Sequence, residues 1–166
     1  MPTLEKTKKH LNYLFINTAP GADPATWARV GKSTEWTDTM NATVNTFDYI
    51  EDASPTDELD SYKPSASMPL TAYIGDPCYD FIFKLYQEQK TGTDAVTDAL
   101  RVYQQKSGAA NVATKTAVLL TVDNYNIATG VITFNVGQRG TPIQGTATVA
   151  DGVPAFTPTV NPPAGG

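Results

Sequence analysis

The chain has 166 residues, of which 40% are apolar and 17% charged, and its formal net charge is −5. That length and apolar share are enough for one packed domain and exclude disorder throughout. The lone cysteine, Cys78, excludes an internal disulfide framework, and no stretch approaches the length of an apolar membrane span.

Thr, Val and Tyr are frequent and favour pleated, half-buried surfaces, while 12 Gly and 12 Pro supply turns. The expected fold is mainly β: a two-sheet β-sandwich or barrel with one flanking α-helix and a long hairpin loop. One domain is expected over residues 1–158, opening with an arm over residues 1–9 and followed by a flexible tail over residues 159–166. The opening MPTLEKTKKHLNYLFIN is basic, but its apolar run is short and no small-residue cleavage site follows. Folding in a reducing cytoplasm is expected.

In chain order, His10–Asn17 reads as a strand and Thr18–Pro24 as a loop. A short strand is expected around Ser33–Trp36. Thr43–Glu51 is β-rich, and alternation puts Phe47 and Tyr49 on one face. Asp52–Lys63 (DASPTDELDSYK) reads as a polar connection, with Pro64–Ile74 returning as the second strand of a long hairpin.

Asp76–Lys90 is the expected helix. Asp76 suits the N-cap, Pro77 the first helical position, and Gly92 a left-handed end. Asp80 and Lys84 are spaced for an i,i+4 pair. At 100° per residue, Phe81, Leu85, Cys78, Ile82, Tyr86, Tyr79 and Phe83 cover an arc of about 200°, wider than one sheet needs. Either a neighbouring segment or a second subunit must cover the excess, with Tyr79 and Phe83 at the edge placed for the second. Strands are then expected at Asp98–Gln105, Ala113–Asn124, Val131–Gly137 and Thr146–Ala150, with turns at Gly130, Gly140 and Asp151-Gly152.

The residues offer little chemistry. His10 is the one histidine and sits beside Lys8 and Lys9 in the arm. Cys78 lies inside the apolar arc of the helix, as a small core residue would. The acids Asp48, Glu51, Asp52, Asp57, Glu58 and Asp60 are clustered in sequence but lack the glycine and ligand spacing of a calcium loop. No metal, no cofactor and no enzymatic activity are expected.

Charge is divided along the chain. Residues 1–32 hold five Lys/Arg against two acids, residues 33–62 hold eight acids and no base, and the remainder balances at seven of each. The basic set comprises Lys6, Lys8, Lys9, Arg29 and Lys32. The acids expected to face it include Glu51, Asp52, Asp57, Glu58 and Asp60. Such opposite patches on one chain complement each other within a subunit or between identical subunits.

Several stretches carry a likeness: Gly31-Lys32-Ser33; Tyr62-Lys63-Pro64-Ser65, then Gly75-Asp76-Pro77 and Asp80-Phe81-Ile82; and Gly140 to Thr148, then Phe156-Thr157-Pro158. In these, over roughly residues 30–158, the chain resembles the major tail tube proteins of long-tailed phages, in the variety common among phages of Gram-positive hosts. The resemblance implies a β-sandwich subunit with a flanking helix. It implies six subunits in a ring, and rings stacked head to tail into a tube through which DNA passes without specific binding. Ring-to-ring contacts would come from the hairpin loop and terminal arms. Its other partners would be a tape measure protein and terminator or distal tail proteins. It would assemble in the host cytoplasm and reside in the virion tail, away from membranes. The alternatives are a single-ring tail component such as a terminator or baseplate hub, the tube of a contractile injection device, and a carbohydrate-binding β-sandwich using Trp27, Trp36 and the tyrosines.

Overall fold

A computed structural model describes residues 2–104, 106 and 109–159. Its main sheet has eight strands. The sixteen-residue β7 (Asn111–Asn126) is its spine. β7 pairs with β6 (Val96–Val102), which pairs with β1 (Tyr13–Asn17), which pairs with β2 (Trp27–Arg29). The first part of β7 carries β9 (Ile143–Ala150) and β10 (Val153–Pro158) on its other side. The later part carries β8 (Val131–Gln138) and then β5 (Ser65–Thr71). All of these pairings are antiparallel.

The sheet closes on itself. Beyond β2, the Val30 N–H donates to the Leu14 carbonyl, Ser33 bridges Leu70, and the Thr71 N–H donates to the Lys32 carbonyl at 2.9 Å. The ring β2–β1–β6–β7–β8–β5 therefore leaves few free edges. The barrel and flanking helix match the expected mainly β fold.

Alternation explains the core. Ile132, Phe134 and Val136 of β8, and Ala66, Met68 and Leu70 of β5, are buried on one face. They meet Leu14, Ile16, Val118 and Leu120 in the larger of two apolar clusters. β1 is buried on both faces, because Phe15 points the other way, into a second cluster with Leu100, Val102, Ala113 and Ala147.

The helix α1 (Pro77–Glu88) starts as its sequence requires: Asp76 Oδ1 accepts from the Cys78 N–H at 3.1 Å, and Pro77 takes the first position. It ends earlier than Gly92. Gln89 adopts the left-handed conformation (φ +49°), and Gly92 (φ +62°) opens a short 3-10 turn beyond it. Cys78, Tyr79, Ile82 and Leu85 form the buried stripe and join the larger cluster. Asp80 and Lys84 make no ion pair; those among the described residues are Lys8–Glu5, Lys90–Glu88 and Arg101–Asp38.

Three further expectations are corrected. The partner of β3 (Ala42–Phe47) is β4 (Thr56–Tyr62), the segment read as an acidic connection, while Pro64–Ile74 supplies β5 of the main sheet. The acidic strand carries no buried stripe to mark it, because both of its faces are exposed. The short strand near Ser33–Trp36 is a single bridge at Ser33, and the regular pairing lies at Trp27–Arg29. β10, where no strand is expected after Thr146–Ala150, turns back at Asp151-Gly152, both at positive φ. Residues 160–166 of the expected tail lie outside the described residues.

Candidate functional site

The β3–β4 hairpin is a two-stranded sheet of its own, bonded to no other strand. Every residue of its two strands is exposed except half-buried Phe47. Its base is fixed: Thr39 and Ser65 exchange backbone hydrogen bonds of 2.8 and 2.9 Å, and the Asn41 side chain donates to the Lys63 carbonyl and to Ser65 Oγ. Nearby, Arg101 grips Asp38 with two hydrogen bonds of 3.1 and 3.2 Å. From this base each strand rises about 3.3 Å per residue, so β3 alone carries the chain roughly 20 Å toward the tip.

One face of the hairpin is apolar. The register sets Val44 opposite Leu59 and Ala42 opposite Tyr62, and Val44, Leu59 and Tyr62 are each 52% exposed. Acids flank this stripe, Asp57 continuing its face toward the tip. Asp57 sits opposite Thr46 and accepts from its hydroxyl at 2.6 Å, Glu58 lies on the other face, and Asp60 falls out of register at a bulge. At the tip the Asp52 N–H donates to the Tyr49 carbonyl at 3.0 Å, which closes a turn that holds Ile50 fully in solvent. The rings of Phe47 and Tyr49 stack in parallel with centroids 5.7 Å apart.

The basic residues do not form one patch. Lys6 and Lys8 lie on the extended arm, where Lys8 pairs with Glu5 at 3.1 Å. The arm is tied to the barrel where Gln104 bonds the Lys8 backbone and the Asn12 side chain. Lys32 stands over the Tyr73 ring. Lys9 and Arg29 are brought together, with His10, in the lining of a groove of about 800 Å3 that also includes Trp36 and Val30. The Arg29 guanidinium rests 3.7 Å from the centre of the Tyr13 ring.

On the helix, Phe83 is half-buried and Tyr79 buried. Their rings and that of Tyr86 gather around Tyr125 of β7, with centroids 5.5–6.4 Å apart. Tyr125 thus covers part of the wide apolar arc from within the chain, and Tyr86, 40% exposed, is its outermost ring. The Tyr79 hydroxyl lies 3.0 Å from that of Tyr125, and this hydrogen bond, with burial, pushes its pKa up to about 12. Burial, then the Asp76 carboxylate, pushes Cys78 up to about 12, so the thiol stays protonated and unreactive at neutral pH. Among the described residues no group of three or more His, Cys, Asp or Glu is placed to hold a metal ion.

Sequence reading missed Val44, Leu59, Tyr62 and Ile50. The bulge at Asp60 hides the apolar stripe, because Leu59 and Tyr62 are three apart and out of phase with simple alternation. The run Tyr49-Ile50 amid acids was the one available signal of an exposed tip.

No protein-family model and no curated protein matches the chain. A chain in the cryo-EM structure of the anti-feeding prophage cap, its tube terminating cap, has the same fold: TM-score 0.53 at 9% identity, covering 89% of this chain and 95% of that one. A chain in the cryo-EM structure of the anti-feeding prophage baseplate superposes with a TM-score of 0.45 at 6% identity, over 87% and 95% of the two chains.

Proposed function

We propose that this protein is a structural, ring-forming subunit of a phage-tail-like tube, with no enzymatic activity, and that the β3–β4 hairpin is its assembly arm. The observation that carries this reading is the hairpin itself. An isolated two-stranded sheet is marginal in water, and this one also holds an apolar stripe in solvent. Packing against neighbouring subunits supplies what the hairpin lacks. The fold shared with a chain of a tube-terminating cap supports the same reading.

Six subunits form the ring, and rings stack head to tail, because a heterologous contact propagates without closing. Tape measure and terminator or distal tail proteins are its other partners, and the assembled protein resides in the virion tail. DNA passes without being gripped. A net charge of −5 and basic residues scattered over arm and groove give no stripe along which phosphates would be neutralised. A second reading, a subunit of a single terminating ring, is favoured by the cap-like fold. Electron microscopy and sedimentation of the purified chain test both. Stacked tubes support the first, single rings support the second, and a monomer at every concentration overturns both.

A further inference from the structure

We infer that the groove beside Trp36 is the socket for the hairpin tip of a second copy of this chain, an inference that rests on the assembling role proposed above. The groove mixes apolar and cationic groups. Trp36, Val30 and Met68 line it beside Lys9, His10 and Arg29, and Glu35 is the one carboxylate there. Neither Lys9 nor Arg29 is in an ion pair among the described residues. A volume of about 800 Å3 takes a whole turn and not only a side chain. The chemistry it fits is an apolar knob ringed by acids.

The chain carries such a knob. Ile50 is fully exposed on the closed turn at the hairpin tip, and Asp48, Glu51 and Asp52 surround it, all exposed and none in an ion pair among the described residues. In each copy the tip stands clear of its own groove, since Ile50 is fully exposed and no tip residue lines the groove. The groove runs beside Ser33–Trp36, a few residues before the hairpin base at Thr39, and β3 alone carries the tip roughly 20 Å from there. Tip and groove are different surfaces, so each copy keeps one free tip and one free groove after pairing, and the contact extends. Burying Ile50 supplies the attraction, while the charges fix the register and reject wrong pairings.

Two charge-reversal variants of the full chain test this: Glu51→Lys with Asp52→Lys at the tip, and Lys9→Glu with Arg29→Glu at the groove. All four side chains are exposed, so circular dichroism should show both variants folded. Each alone should need at least about tenfold more protein to assemble than wild type, since like charges then oppose. An equimolar mixture should assemble again, because lysine tips meet glutamate grooves while native tips meet native grooves. A third variant, Ile50→Ser, should also weaken assembly and gain nothing from mixing with the groove reversal beyond the charge effect. If wild type assembles and either reversal assembles equally well, the groove serves a different acidic partner or none. The inference then fails while the assembling role stands. If both reversals fail alone and the mixture does not recover, the residues act separately and the inference fails. A wild-type chain that never assembles removes the assembling role itself.

Discussion

Replacing residues 41–63 with a three-residue turn removes the hairpin and leaves the barrel. Little holding the fold together should be lost, because the excised strands pair only with each other and are exposed except at half-buried Phe47. The losses at the cut are the Asn41 side-chain hydrogen bond to Ser65 Oγ and the backbone bond from the Lys63 N–H to the Met40 carbonyl, worth about 0.5–1.5 kcal/mol each. The gain comes from the unfolded state: the loop shortens by roughly three doublings, at about 0.6 kcal/mol per doubling, or about 1.8 kcal/mol in favour of folding. The two nearly cancel, so stability should stay within about 1 kcal/mol of wild type. For a domain this size that means a Tm within about 4 °C by scanning calorimetry. Assembly, read by sedimentation and electron microscopy, should disappear. A loss of more than about 3 kcal/mol would show that the hairpin supports its own barrel, and a truncated chain that still forms rings would refute its role as the assembly arm.

Other positions give further expectations. Ile82 is fully buried between helix and barrel, so Ile82→Ala should cost about 2–5 kcal/mol by denaturant unfolding. Gly145 lies under the Phe156 ring, and a Cβ there would meet that ring and the Thr157 carbonyl. Gly145→Ala should therefore cost about 1–3 kcal/mol and speed amide exchange in β9 and β10 before the rest of the sheet. Cys78 and Tyr79 have ordinary values of 9.0 and 10.0, both raised to about 12 on folding. The folded chain thus holds more protons than the unfolded one across that window; this stabilisation is complete below pH 9 and lost as pH rises toward 12. Chemical denaturation at pH 8 and pH 11 should show the fall, and equal stability at both would contradict it. Cys78 should react with a thiol reagent only after unfolding.

The elements with one wet face and one dry face were legible in the sequence. β8 announces itself because Ile132, Phe134 and Val136 alternate with polar residues, and the helix because Asp76-Pro77 starts it and its apolar positions recur at helical spacing. Composition alone gave the mainly β class. Tertiary structure decided what local pattern cannot carry. β4 is exposed on both faces, so no burial shaped its sequence, and the acids that read as a loop are a strand held only by its partner β3. The long arc of the helix announced an extra contact, but only the fold shows Tyr125, 46 residues from Tyr79, meeting it from β7. Lys9 and Arg29 lie twenty residues apart, and they share a groove because β2 folds back antiparallel on β1 and sets Arg29 opposite Phe15, beside the segment that opens β1. Local spacing fixes which face a residue takes. Which distant residues share a surface is set by the pairing of strands far apart in sequence.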